Sequence, residues 1–267
     1  MVFPPHARRQ AERIVETFPR RRARVSAWLG AQPLRHPSIY LVEDFEQMRS
    51  RGGEGVPEWA VAIARRDGVL VFRLDRLDRT PNQSLDLVLK HEVVHFVLAD
   101  LDRHPRPRRL PRWFEEGLCV HHAGVAYVEA DTTLERMAAA GYLPTFAAVE
   151  EQFHVNQRGA AVAYKLGEAV VTEFLRRFGD DALRQLLRGF AEGKSFATAF
   201  HEATGMRLED FEERWRESIT PALPLLLFVM LENIELTLLC FGALLVVGGY
   251  IRVRLRRPRE LEQLENV

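Results

Sequence analysis

The chain has almost no cysteine and almost no lysine. Its 2 cysteines are Cys119 and Cys240. Cys240 falls in a long apolar run and Cys119 beside a cluster of acids and histidines, so no disulfide framework is expected, and redox compartment stays undecided. Lysine occurs only at Lys90, Lys165 and Lys194, so the 37 basic side chains are nearly all arginine, and 37 acidic side chains balance them. With no net charge, and with the arginines scattered among acids, the composition offers no basic field for nucleic acid and reads as a solvated surface. Internal repeats and low-complexity tracts are also missing, which excludes a repeat architecture. The opening residues, Met1 to Gln10, carry no apolar stretch behind a basic start. No secretory signal is expected there.

What is present begins with size: 267 residues can bury a sizeable core, and one compact domain with an appendage is the expected plan. The appendage is C-terminal. From Leu225 to Ile251 the chain is almost wholly apolar, interrupted chiefly by Glu232, Asn233 and Glu235. Met230 to Ile251 is 22 residues, which at 1.5 Å each is about 33 Å, enough to cross a hydrocarbon core. The segment reads as one transmembrane helix; a buried or interfacial hairpin helix is the alternative. Arg252, Arg254, Arg256, Arg257 and Arg259 follow at once, against Arg207, Arg214 and Arg216 before the span, so the tail is expected in the cytoplasm and the rest outside.

The remainder reads as α+β. Residues 8–29 have helical spacing, with Pro19 expected to kink or split the helix. Ile39–Val42 reads as a strand, and Trp59–Ala64 and Val69–Leu74 as a hairpin about Asp67-Gly68. A small antiparallel sheet with a helix is thus expected over 1–79. From 80 to 220 the pattern is helical: Leu85–Leu101, Trp113 to about Tyr127, then 132–140, 145–153, 161–178, 180–191, 195–204 and 208–219. His104–Pro111, with three prolines, cannot be regular. Residues 252–267 form a charged tail.

The chemistry lies in His91-Glu92-Val93-Val94-His95. Two histidines four apart share one helix face, so both imidazoles can reach one ion. Glu92 projects beside them. A zinc ion lowers the pKa of a bound water, and a carboxylate so placed takes its proton as the water attacks a carbonyl. A third ligand is needed, and Trp113-Phe114-Glu115-Glu116-Gly117 follows. Here the sequence resembles the gluzincin metallopeptidases, in particular the bacterial peptidase-MA-like domains. In them a Trp-x-x-Glu-Gly helix, about twenty residues after the His-Glu-x-x-His helix, supplies the third ligand through the Glu before Gly. Matched by position, that residue is Glu116, with Glu115 as its rival. Glu115 lies about 100° round the helix, and if it is not the ligand it stands exposed or orients a ligand histidine. Gly117 would permit close helix contact, with Trp113 and Phe114 wedged between the two metal-bearing helices.

The resemblance continues through Ala163-Tyr164 to Phe178-Gly179, and through Ala199-Phe200 to Gly205 and Leu208 to Trp215, covering about residues 80–219. It implies a zinc-dependent peptidase acting on a peptide or protein, with Glu92 as base and Tyr164 supporting the oxyanion. His154 is a lesser candidate for that role. Cys119, one turn beyond Glu116, is a small buried residue or a group touching the metal. His121 and His122 fit neither ligand spacing. Val120 stands where some relatives carry an acid supporting a ligand histidine; Asp86 and Asp100 are possible substitutes. The implied function is a membrane-anchored zinc peptidase with one ion. The alternative is an inactive, membrane-tethered module that keeps the fold for binding or scaffolding.

Overall fold

The computed structural model describes residues 1–31, 36–99, 109–124, 132–153, 156–220 and 225–265. It divides into two units, described separately below: Met1–Leu134 with Leu143–Ile219, and Glu135–Tyr142 with Thr220–Val267.

The first unit opens with helix α1, Arg8–Leu29. Its apolar residues Ile14, Phe18, Val25 and Leu29 are all buried, and Phe18 meets Phe96 edge-on at 5.5 Å between ring centroids. Pro19 lies inside this helix without splitting it. The loss of one backbone bond is outweighed by a core-facing stripe that continues on both sides of the proline. Strands β1 (Ser38–Val42), β2 (Ala62–Ala64) and β3 (Val69–Arg73) form one sheet in the order β1-β3-β2. The hairpin β2–β3 is antiparallel as the Asp67-Gly68 turn requires, but β1 pairs with β3 in parallel. The expected antiparallel sheet is therefore a mixed one. Helix α2, Phe45–Gly52, begins two residues after β1 and carries the chain away from a hairpin return, so β1 meets the sheet from the other side. Arg73 is buried at the end of β3, and its guanidinium closes on Asp75 at 2.8 and 3.0 Å.

Among the described residues every regular element after the sheet is helical. Helix α3, Leu85–Ala99, is apolar almost all round and buries ten residues, including His91 and Glu92. A helix without a polar face belongs in the interior. Helix α4, Arg112–Ala123, follows, then α5 (Thr133–Ala139), α6 (Phe146–Gln152), the long α7 (Gln157–Ala191), α8 (Phe196–Thr204) and α9 (Leu208–Ile219). Gly179, at φ 75° and ψ 179°, breaks α7 into the two segments expected from the sequence. An L side chain is disfavoured in that conformation. The segments His104–Arg108 and Val125–Tyr127 of the sequence reading lie outside the described residues.

Helices α4 and α7 touch backbone to backbone. A Cβ added at Gly117 would stand 2.3 Å from the carbonyl oxygen of Gly167, and one at Gly167 would stand 2.4 Å from that of Trp113. The rings of Trp113 and Phe114 pack on aromatic side chains of α6, α7 and α8. Trp113 packs on Phe146 at 4.4 Å, and Phe114 on Phe196 at 5.0 Å and Phe174 at 5.9 Å. These rings belong to a cluster that extends through Phe200, Phe211 and Trp215, all fully buried. Glycine lets the α7 backbone approach one side of α4, and the large rings turn to the free volume towards α6 and α8.

In the second unit the apolar C-terminal run is divided. Helix α10, Leu225–Glu232, ends at Asn233, and helix α11 runs from Ile234 to Glu265. The Asn233 amide donates to the Val229 carbonyl at 2.9 Å and Thr237 Oγ1 to that of Met230 at 3.0 Å, so side chains satisfy backbone groups at the break. Arg136 pairs with Glu232 at 2.7 Å. Within α11, Ile234–Arg254 is long and apolar enough to cross a membrane, and none of it is buried in the protein. Its 21 residues span about 31 Å. The core helix of a soluble protein would be covered; here Leu239 and Val246 are more than 70% exposed.

Candidate metal centre

His91 and His95 project from the same face of buried α3, and Glu116 faces them from α4. His91 Nε2, His95 Nε2 and Glu116 Oε2 make a triangle with all three sides 3.2 Å. A tetrahedral ion with bonds of about 2.0–2.1 Å separates its ligand atoms by about 3.3–3.4 Å. The triangle therefore has the size that one such ion requires, and two imidazoles with a carboxylate suit zinc. His91 and Glu116 are almost inaccessible, at 3% and 6% exposure.

Glu92 is equally buried, and its Oε2 has no hydrogen-bond partner among the described residues. Burial pushes its carboxyl above the usual range, His91 and His95 partly offset this, and the like charge of Glu116 adds to it. Glu116 goes the other way. Burial opposes its charge, but His95 and His91 outweigh the burial and hold it well below the ordinary value. Burial also opposes a charge on His95, yet Cys119, Glu116 and Glu115 around it raise its pKa well above the usual imidazole value. Burial pushes the Cys119 thiol up to about 12.

The two adjacent glutamates of α4 divide the work. Glu115 Oε1 accepts from His95 Nδ1 at 2.8 Å, while Glu116 Oε2 meets Nε2 of the same ring. Of the two residues considered as histidine supports, Asp86 is engaged elsewhere, with Arg21 and, at 2.9 Å, Lys90, and Asp100 lies outside the described residues. Cys119 is fully buried beside the two histidines. One ligand atom each from His91, His95 and Cys119 lie within 4.8 Å of one another, so the thiol forms a second possible donor set. Tyr164 on α7 has its ring 6.3 Å from that of His91 and 5.4 Å from that of Phe153. Burial raises its phenol above the usual value, which keeps the hydroxyl a neutral donor. His154 lies outside the described residues. His121 and His122 turn away to stack on Trp28 at 6.2 and 5.5 Å, and His121 Nδ1 is 2.9 Å from Thr172 Oγ1.

Two residues were missed by the sequence reading. Arg112 Nε reaches Glu116 Oε1 at 3.5 Å, and its guanidinium lies 4.8 Å over the Phe153 ring. Glu150 on α6 accepts the Arg112 backbone N–H with both oxygens, at 2.8 and 3.1 Å, and so caps α4. The signal for Arg112 was its position, four residues before Glu116 on one helix face. Nothing in the sequence pointed to Glu150.

A model of the peptidase MA superfamily matches residues 23–221, which takes in the sheet, α3, α4 and the helices that follow them to α9. The chain belongs to the peptidase MA superfamily and has a peptidase-like fold. No curated protein matches it.

Proposed function

We propose that the chain is a zinc-dependent peptidase anchored in a membrane by α11, with His91, His95 and Glu116 as metal ligands and Glu92 as general base. The observation that carries this reading is the 3.2 Å triangle of His91 Nε2, His95 Nε2 and Glu116 Oε2 with the unpartnered carboxylate oxygen of Glu92 buried beside it. A zinc ion held by those three atoms would supply Lewis-acid activation of water and polarise the scissile carbonyl. Glu92 accepts the proton of the attacking water and returns it to the departing amine. Its raised pKa suits this double duty, since a base must also become an acid in the same turnover. Glu115 fixes the tautomer of His95, so that Nδ1 carries the proton and Nε2 keeps its lone pair for the ion. Tyr164, neutral and beside His91, is the donor for the oxygen that gains charge on attack.

The substrate is a peptide or protein. The arginines from Arg252 to Arg259 favour a cytoplasmic tail, and with it a catalytic unit on the outer side. Protease protection in intact cells, with the catalytic unit digested only after lysis, would reverse that orientation.

The test uses the full chain in detergent, assayed on an unstructured protein such as casein. Stoichiometric zinc, activity abolished by chelation and restored by zinc, and a loss of about 10²–10⁴-fold in Glu92→Gln with zinc retained are expected. Activity that survives Glu92→Gln rules out the catalytic assignment. Zinc without activity in the wild type points to the inactive, tethered module instead.

A further inference from the structure

Glu116 faces two ways. Its Oε2 meets Nε2 of both histidines at 3.2 Å, whereas its Oε1 meets Arg112 Nε at 3.5 Å. A free carboxylate beside a divalent ion can bind through one oxygen or two, and the second mode uses a coordination position that a substrate or water would need. Here a guanidinium competes for that second oxygen. Arg112 is also held in its own right. Both oxygens of Glu150 fix its backbone N–H, and Phe153 lies under its guanidinium at 4.8 Å. Phe153 packs in turn against Tyr164, and Tyr164 against His91. The arginine is thus anchored to the same aromatic chain that borders the histidines, while its side chain stays 31% exposed against 8% for Glu116.

We infer that Arg112 is a positioning residue that keeps Glu116 a one-oxygen ligand and so preserves the open coordination position. This rests on the reading of His91, His95 and Glu116 as the ligand set. Charge supports the role as well as geometry. Glu92, Glu115 and Glu116 crowd three carboxylates around the centre, and Arg112 draws charge from the ligand oxygen that does not face the ion. With the arginine gone, Glu116 is free to turn both oxygens inward, and the ion becomes more crowded and a weaker acid.

The experiment replaces zinc with cobalt(II) in the full-length protein and records its visible spectrum, its affinity by chelator competition, and peptidase kinetics, for wild type, Arg112→Gln and Arg112→Lys. Four-coordinate cobalt absorbs strongly in the visible and five- or six-coordinate cobalt weakly. In Arg112→Gln the visible bands are expected to weaken, metal affinity to change by about 10–100-fold, and kcat to fall by a similar factor with KM little changed. Arg112→Lys, which keeps the charge and disturbs the fold least, should recover part of both the spectrum and kcat. A wild-type spectrum and kcat in Arg112→Gln overturn the inference, as does an Arg112→Lys variant indistinguishable from Arg112→Gln. A wild-type chain that takes up no cobalt removes the ligand set itself, and the inference with it.

Discussion

Glu115 Oε1 lies 2.8 Å from Nδ1 of His95, on the opposite side of the ring from the nitrogen that faces Glu116. Two consecutive glutamates of one helix thereby hold one imidazole from both ends. Glu115→Gln keeps the shape and removes the charge that favours the Nδ1–H tautomer. Zinc affinity is expected to fall by about 10–100-fold, with the protein folded. Chelator competition measures it; an unchanged affinity would show that the contact does not orient a ligand.

The two possible third ligands separate cleanly. Glu116→Gln should lose stoichiometric zinc, whereas Cys119→Ser should keep it. A cobalt-loaded wild-type protein should lack the near-ultraviolet charge-transfer band of a cobalt–thiolate bond, because Glu116 Oε2 already stands 3.2 Å from both histidine Nε2 atoms as the third donor. The opposite pattern would make Cys119 the third ligand in place of Glu116.

Gly117 and Gly167 carry the contact that sets the position of Glu116. Gly117→Ala places a methyl 2.3 Å from a backbone oxygen that cannot rotate away. Overpacking of this kind costs about 1–3 kcal/mol. A lower Tm together with weaker zinc binding is the expected pair of effects, since α4 must move to relieve the clash. A variant with wild-type Tm and affinity would contradict the close packing described here.

His122 predicts a pH dependence. Burial, with Lys90, Arg21, His121 and Arg24 nearby, pushes it down to about 4 from the ordinary 6.5. The unfolded chain therefore binds the proton first as pH falls. Stability that is full above about 6.5 drains between 6.5 and 4 and is flat below. After allowance for solvent around a half-buried ring, the effect is on the order of 1–2 kcal/mol. His122→Phe keeps the stacking on Trp28 and should flatten the Tm-against-pH curve across that window. Equal slopes in both proteins would refute it.

Much of the centre was legible because the helix repeat alone fixes it. His91 and His95, four apart, must share a face, and Glu116 followed from the spacing of the resemblance. The choice between adjacent glutamates was less accessible. It depends on the rotation of α4 about its axis, which the Gly117–Gly167 approach sets and which no local pattern encodes. Glu150 was invisible for a related reason, since a glutamate on a short helix is ordinary until α6 meets the start of α4, and Arg112 showed only as a residue four before Glu116 on one helix face. The parallel pairing of β1 depends on where α2 sends the chain, not on the strand's own residues. Pro19 and Asn233 show the limit from the other side. The proline was expected to kink or split a helix that stays one element from Arg8 to Leu29, and the asparagine ends one that apolarity alone would have continued.

The central claim is that one ion sits on His91, His95 and Glu116. The most direct measurement is a crystal structure of the zinc-loaded protein with diffraction recorded on both sides of the zinc absorption edge. The account predicts a single anomalous peak within bonding distance of His91 Nε2, His95 Nε2 and Glu116 Oε2, with Glu115 still on His95 Nδ1 and Cys119 unbound. A peak bonded to Cys119 in place of Glu116, or no peak between α3 and α4, would contradict it.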